Sequence, residues 1–575
     1  MLKITPRPWL PAAAERLRAA GHPALLARLY AARGVDRQED IKTALGDLLP
    51  YSALLNCEAA GARLADAIVG RQRLLIVADY DADGATACAV AVTGLRAMGA
   101  TVDYLVPNRF EFGYGLSPEI VRLAAERRPD LLITVDNGIA AFAGIEEARR
   151  LGIEVLVTDH HLPAQNPSAS LPEALIVNPN QPGCPFPSKS LAGVGVMFYV
   201  LIALRAELRR RGVFASQTEP NLSELLDLVA LGTVADVVKL DANNRLLVDQ
   251  GLKRMRAGRA CPGIRALFKA AGRDSTRAAA QDLGFVVGPR LNAAGRLADM
   301  SLGIACLLAE DDSGAQSLAH ELDSLNRERR EIEAGMQAQA VALLDGIALD
   351  DGYSLTLFDP AWHQGVVGLL ASRLKERHHR PAIIFAAGED GMLKGSGRAI
   401  PGLHLRDALD LIDKRHPGLL LKFGGHAAAA GLTIHADSLP SFASAFESVC
   451  RDLLNPADLE QVIETDGALA PHECRLDQAL LLRQGVWGQG FPPPAFHGHF
   501  HVDGQRLMGG KHLKLRLSGK GLAAEAVLFN RDSPLPDHIE AVYRFEVNEW
   551  NGKQTLQFNL EHWREGQPIS VNEHG

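Results

Sequence analysis

The chain contains no block of like charge, no low-complexity tract and no apolar run long enough to span a bilayer. These absences argue against a disordered tail and a membrane-spanning helix. The opening Met1-Leu-Lys-Ile-Thr-Pro-Arg-Pro lacks the apolar core of a signal peptide. Cysteine is sparse: Cys57, Cys88, Cys184, Cys261, Cys306, Cys450 and Cys474 are odd in number and show no CxxC spacing. That argues against a disulfide framework or a zinc site and for the reducing cytoplasm. The net charge of −8 supplies no overall attraction for nucleic acid, so any such contact has to come from local basic surface. What remains is an ordinary globular composition, 47% hydrophobic and 22% charged. At 575 residues the chain is too long for one core, and about three or four domains are expected.

The first half alternates strand and helix. Leu74–Ala78, Val102–Val106, Leu131–Val135, Val155–Thr158 and Ala174–Val177 read as strands; Gly84–Met98, Ser117–Glu126 and Ile139–Leu151 read as helices. Short apolar strands between amphipathic helices predict a parallel sheet covered on both faces, with ligands at the carboxyl ends of its strands. Residues 191–344 are helical, ending in a long charged helix, Ser313–Leu344, expected to link two domains. A second α/β unit follows over about 353–455, then a β-rich tail over about 460–565. In the tail, "VYRFEVNEW" and "KQTLQFNL" flank Asn551-Gly552, a hairpin signal that suits a type I′ turn. Leu513, Leu515 and Leu517 alternate with Lys514 and Arg516, and a small antiparallel barrel is expected. The boundaries read as 1–45, an N-terminal helical segment; 46–312, the first α/β domain; 313–350, the linking helix; 351–456, the second α/β domain; and 457–575, the barrel.

Acidic residues gather where strands end. "VADYDADG" places Asp79, Asp81 and Asp83 after the first strand, "LLITVDNG" places Asp136, and "VLVTDHH" places Asp159, His160 and His161. Asp227 and Asp236 follow in "LDLVALGTVADV". A lone Asp after a strand merely caps the next helix. So many carboxylates at one sheet edge, with two imidazoles beside them, repel one another unless divalent cations hold the carboxylates ionised. Oxygen-rich ligation with imidazole and no thiolate points to Mn²⁺ or Mg²⁺, with donors enough for two ions about 3.5–4 Å apart.

"DYDADG", "VDNG", "DHH" and "GTVAD" resemble, in order, the four motifs of the DHH phosphoesterase superfamily. "VPNRFEFGYGLS", "NPNQPGCPFPSKSLAGVGV", "GPRLNAAGRL", "WHQGVVGLLASRL", "GSGRAIPGLHLRDAL" and "FGGHAAAAGLTI" narrow the resemblance to its single-strand-specific 5′→3′ DNA exonucleases. The resemblance covers about residue 45 to the C-terminus. It implies a catalytic DHH domain, a DHH-associated domain and an OB-like barrel. It further implies phosphodiester hydrolysis by a two-metal mechanism in DNA repair and recombination, a single-stranded-DNA-binding protein as partner, and a monomer. By position, Asp79, Asp81 and Asp136 hold one ion; Asp83, Asp136, His160 and Asp236 hold the other. Asp159 orients His160, and His161 faces the scissile phosphate. Asp227 competes with Asp236 for the fourth motif.

For the strand itself, "GPRLNAAGR" offers Arg290, Asn292 and Arg296 in what reads as a short loop. "KGSGRAIPG" offers Ser396 and Arg398 between small residues. The resemblance implies a 5′-phosphate pocket of Arg109, Arg290, Ser396 and Arg398, which suits the bidentate grip of arginine on phosphate. "HQGVVG" opens a helix whose free N–H groups suit a phosphate. Gly424, Gly425 and His426 mark a close backbone approach. On the barrel, Lys511, Lys514, Arg516 and Trp550 are candidates for holding single strands by charge and stacking. His497, His499 and His501 alternate along one strand and read as a polar face. "KERHHR", Lys375–Arg380, suits a helix C-terminus. Two rival readings are a phosphoesterase for short oligonucleotides, cyclic dinucleotides or pyrophosphate, and a non-catalytic replication scaffold.

Overall fold

The structure, a computed structural model, describes residues 3–107, 115–163, 171–215, 217–344, 352–519, 521–550 and 553–567. It divides into two compact units: Pro6–Asn326 with Thr465–Gly575, and Met1–Thr5 with Arg327–Glu464.

The larger unit contains helix α1 (Ala24–Ala31) and a five-stranded sheet: β1 (Arg73–Ala78), β2 (Thr101–Leu105), β3 (Leu131–Val135), β4 (Glu154–Thr158) and β5 (Leu175–Val177). All pairings are parallel, in the order β2-β1-β3-β4-β5. Alternate residues serve two cores. Leu74, Ile76, Leu131, Ile133 and Leu156 join one apolar cluster, and Leu75, Val77, Leu132, Val155 and Val157 join another. Burial on both sides is why these strands read as continuous apolar runs. The chain leaves β1 toward β2 and then crosses to β3, so the carboxyl ends of β1 and β3 form the switch point where open α/β sheets bind ligands. Helix α2 (Ala82–Ala97) follows β1, and α3 (Phe142–Arg150) follows β3. Then come α4 (Gly193–Arg210), α5 (Leu226–Ala235) and α6 (Gly288–Leu297). Helix α6 corrects the short loop expected at "GPRLNAAGR". Gly288 and Pro289 look like loop residues, but Pro fits the first turn of a helix. Helix α7 spans Asp312–Leu344.

The smaller unit has β6 (Leu355–Phe358), helix α8 (Val367–His378), β7 (Ala382–Ala387), β8 (Met392–Arg398), β9 (Lys422–Gly425) and β10 (Ala429–His435). Its sheet runs β9-β10-β8-β7-β6, parallel only between β6 and β7. Phe385, Phe442 and Phe446 centre its core.

The larger unit also contains a closed barrel of β11 (Phe496–Met508), β12 (His512–Gly519), β13 (Leu522–Leu528), β14 (His538–Trp550) and β15 (Lys553–Glu565). Leu513, Leu515 and Leu517 point inward, as the alternation requires. Trp550 pairs with Lys553, which leaves two residues for the hairpin turn; the turn, Asn551-Gly552, lies outside the described residues. Leu25, Leu26 and Leu29 of α1 belong to the barrel's own core. The Arg33 side chain is buried, bonded through both terminal nitrogens to Asp466 at 2.9 Å and lying 4.9 Å over the Trp487 ring. The N-terminal segment thus contributes to two cores, Leu25, Leu26 and Leu29 to the barrel's and Leu17, Ala27 and Val35 to the large cluster that includes one face of the parallel sheet.

Candidate metal centre and nucleic-acid interface

Each acidic side chain reaches the centre for a local reason. Asp81 caps α2, its Oδ1 accepting the N–H of Asp83 at 2.9 Å and of Gly84 at 3.0 Å. Asp83, in the first turn of α2, is fully buried and accepts the first N–H groups of α4, Gly193 at 2.7 Å and Val194 at 2.9 Å. Asp136 follows β3 at φ +64°, a left-handed backbone that aspartate tolerates better than most residues. It does not cap α3, whose cap position is Ala141. A Cβ on Gly193 would lie 2.6 Å from Asp136 Oδ1, so only glycine lets α4 start against this carboxylate.

His160 Nε2 lies 3.2 Å from Asp136 Oδ1, 3.4 Å from Asp236 Oδ2 and 4.0 Å from Asp83 Oδ2. Asp79, Asp81 and Asp136 bring ligand atoms within 4.8 Å of one another, as do Asp83, His160 and Asp236, and Asp136, His160 and His161. Asp236 ends α5 and faces this cluster. Asp227 lies at the other end of the same helix. It is fully buried, accepting the Cys261 N–H at 2.6 Å, with Arg254 3.7 Å away.

The electrostatics show what crowding costs. Burial, and then the charge of Asp81, pushes Asp83 up to about 7. Burial and neighbouring carboxylates hold Asp79, Asp136 and Asp236 well above the usual carboxylate range. Among the described residues Asp79 Oδ1 is buried without a hydrogen-bond partner. Buried oxygens crowded this way, with an imidazole among them and no thiolate, fit hard divalent cations.

Asp159 differs from expectation. The resemblance assigns it to orient His160, but its Oδ1 accepts from His161 Nδ1 at 2.8 Å. It also accepts the backbone N–H of His160 at 2.7 Å and of His161 at 3.1 Å, while Oδ2 accepts from Ile139 N at 2.9 Å. The turn that takes both histidine amides folds the His161 ring, two residues on, back onto Asp159. Burial would lower His161, but the Asp159 hydrogen bond and charge outweigh it and push it up to about 9. Burial would raise Asp159, but His161 and the other donors outweigh it and hold it below the usual range. Two residues without an assigned role fix the backbone here. Asn178 Nδ2 donates to His161 O at 3.0 Å and Asn180 Nδ2 to His160 O at 2.6 Å. Their signal was the "NPN" following the last strand.

The strand-binding candidates divide. Arg290 is buried, with Nε and Nη2 on Asp323 Oδ1 at 2.9 and 2.8 Å and Nη1 on Val286 O at 2.6 Å. Its charge is taken up by α7, which corrects its reading as a loop arginine. Asn292 Oδ1 accepts the Ala82 N–H at 2.9 Å and so steadies the first turn of α2. Arg296 is half-buried one turn further along α6. In the smaller unit, Arg398 Nη1 donates to Ser396 Oγ at 3.2 Å and Gly397 O at 2.8 Å, and burial lowers its pKa. A Cβ on Gly368 would sit 2.9 Å from Ser396 Oγ and 3.0 Å from Arg398 Nη2, so both lie against the start of α8. Gly424 ends β9 with Gly425 at φ +141°, and His426 N donates to Ala429 O at 2.8 Å across an exposed turn. On the barrel Lys514 pairs with Glu525 at 2.5 Å, and Arg516 stands opposite the same Glu525 in the β12–β13 register. That face is of mixed charge, not simply basic. Arg109 and the Trp550 side chain lie outside the described residues.

Known proteins share the domains that carry these residues. Residues 73–233 match the model of the DHH family N-terminal domain, 351–452 the DHHA1 domain, and 465–562 the RecJ OB domain. The single-stranded-DNA-specific exonuclease RecJ of Dickeya dadantii is 52% identical over 94% of this chain and 96% of its own length. The chain belongs to the RecJ family. The RecJ of Escherichia coli is 50% identical over 94% of the chain and 95% of its own length. The crystal structure of Thermus thermophilus RecJ in complex with Mn²⁺ superposes with a TM-score of 0.81 at 31% identity, covering 99% of this chain and 80% of that one. The parallel-sheet domain, the DHHA1 domain and the barrel are thus the RecJ domain set, in RecJ order.

Proposed function

We propose that this RecJ-family chain is a metal-dependent exodeoxyribonuclease that hydrolyses single-stranded DNA from its 5′ end, in DNA repair and recombination. The observation that carries the proposal is the convergence of Asp79, Asp81, Asp83, Asp136, His160 and Asp236 at the switch point of the sheet. Asp79, Asp81 and Asp136 would hold one Mn²⁺ or Mg²⁺, and Asp83, Asp136, His160 and Asp236 a second. When bound, the ions supply charge neutralisation at the phosphate and an activated water. His161, kept protonated by Asp159, offers its outer N–H to the phosphate oxygens where negative charge builds. Ser396, Arg398 and the start of α8 would read a terminal phosphate; Arg296 and Arg109 are separate candidates for holding the strand. The barrel would hold the strand beyond the cut. Electrostatic affinity of this kind weakens as salt rises.

The proposal extends to a cytoplasmic monomer with a single-stranded-DNA-binding protein as loading partner, on the family resemblance. Among the described residues no helix is long and apolar enough to cross a membrane. The test is digestion of a 5′-phosphorylated strand labelled at either end, with and without Mn²⁺. Early, metal-dependent release of the 5′ label is expected. Early release of the 3′ label, or turnover restricted to dinucleotides, would overturn it.

A further inference from the structure

Phe285 is the most exposed large apolar side chain among the described residues, at 73%. It sits in a π-helical turn, Leu283–Val287, which runs directly into α6. Such turns insert one extra residue into a helix, re-aim its side chains and recur at functional sites.

The turn is anchored to the metal centre's own supports. A Cβ on Gly284 would lie 3.3 Å from Val234 Cγ1, and one on Gly288 would lie 3.1 Å from the Ala235 side chain. Both neighbours end α5, whose next residue is Asp236. Further along, Asn292 holds the first turn of α2, and Gly295 packs on the Tyr80 carbonyl, between Asp79 and Asp81. Helical spacing sorts the other sides of this element. Val287, Leu291 and Ala294 are buried in the core, and Arg290 faces Asp323. Phe285, Pro289, Asn292 and Arg296 fall on the remaining stripe, at intervals of four, three and four residues. The stripe therefore carries an exposed aromatic at one end and an arginine at the other, along a helix tied to the ligand-bearing loops. Val237, directly after Asp236, is 63% exposed and has φ +61°, a strained backbone for a β-branched residue. Exposed apolar side chains thus come from both segments that meet at Asp236.

We infer that Phe285 is a positioning residue whose ring stacks on a base of the single strand entering the metal centre. This deepens the nuclease reading above and rests on it. The occupant is a nucleobase because a single strand presents unpaired flat faces, and the exposed ring stands on an element packed against the segments that carry Asp79, Asp81 and Asp236. Stacking of this kind is sequence-tolerant. It would set the register between base and scissile phosphate without reading the base.

The test uses full-length Phe285→Ala and Phe285→Trp on 5′-phosphorylated oligo(dT) and on the same strand with abasic positions near its 5′ end. Phe285→Ala should raise KM for oligo(dT) about tenfold, the scale of one lost base–aromatic stack. Its Tm and its stabilisation by Mn²⁺ should match wild type, because the ring is exposed. On the abasic strand the gap between variant and wild type should close. Phe285→Trp should restore KM, and its fluorescence should be quenched by oligo(dT) in metal-free buffer. An unchanged KM in Phe285→Ala, or an equal loss on both strands, would overturn the stacking role. So would quenching by a second protein copy and not by DNA. Failure of the wild type to digest either strand would instead overturn the nuclease reading.

Discussion

Asp236 and Asp227 occupy opposite ends of one helix and do opposite work. Asp236 points its carboxylate at His160, whereas Asp227 is spent on the Cys261 amide. Asp236→Asn should lower kcat by about a hundredfold or more, on the scale of losing one preorganised electrostatic group, and shrink the thermal stabilisation by Mn²⁺. Asp227→Asn should keep kcat and lower stability by about 1–3 kcal/mol, since its buried donors lose a charged acceptor. Steady-state kinetics beside thermal melts separates the two, and the reverse ranking would move the fourth-motif ligand to Asp227. Asp83 makes a second residue-scale prediction. Its folded pKa, about 7, stands above its ordinary 3.8, so the folded metal-free chain keeps a proton that the unfolded chain gives up. That contribution is fully present below the ordinary value and is lost as pH rises through about 7. The metal-free Tm should therefore fall between pH 5 and pH 8, and Mn²⁺, which needs the ionised form, should raise Tm more at the upper end. A metal-induced shift independent of pH would exclude these carboxylates as its ligands.

At the scale of elements, the centre depends on how closely α4 approaches β3. Gly193→Ala would drive a methyl into Asp136. It should weaken Mn²⁺ stabilisation and activity together, while the secondary-structure spectrum stays unchanged; full retention of both would mean that α4 can shift without disturbing the carboxylates. The sheet was legible in the sequence because doubly buried parallel strands are short apolar runs, and the acidic residues at their ends marked its functional edge. What escaped were contacts set by three-dimensional proximity. "GPRLNAAGR" looks like a loop because glycine and proline mark both loops and first helical turns. Arg290 looks available because its partner, Asp323, comes from a different helix. The motif pairs Asp159 with His160, its neighbour in sequence, whereas the turn geometry brings His161 back to it. The association of α1 with the barrel, more than four hundred positions away in sequence, left no local trace.

At the scale of the molecule, the proposed function assigns polarity and grip to separate parts. Arg398 has Ser396 and Gly397 O as its bonded partners, whereas Arg290 is neutralised by Asp323. Arg398→Ala should thus lower kcat/KM for a 5′-phosphorylated strand about tenfold, and a 5′-hydroxyl strand much less, because a charged hydrogen bond contributes about 1.5–3 kcal/mol. Equal losses on the two strands would make it a general phosphate contact. In the proposed reading, grip over a longer strand belongs to the barrel, whose place in the larger unit is fixed by Arg33, Asp466 and the Trp487–Phe491 stack. Removing one partner of a buried pair leaves the other charge stranded, at a cost of about 3–5 kcal/mol. Asp466→Asn should consequently lower Tm and loosen the barrel while the parallel sheet and its carboxylates stay intact. The expected signature is a KM that rises for long strands and not for a dinucleotide, with kcat on the dinucleotide retained. If long and short substrates suffer alike, the barrel's attachment serves overall folding and the grip on the strand lies elsewhere.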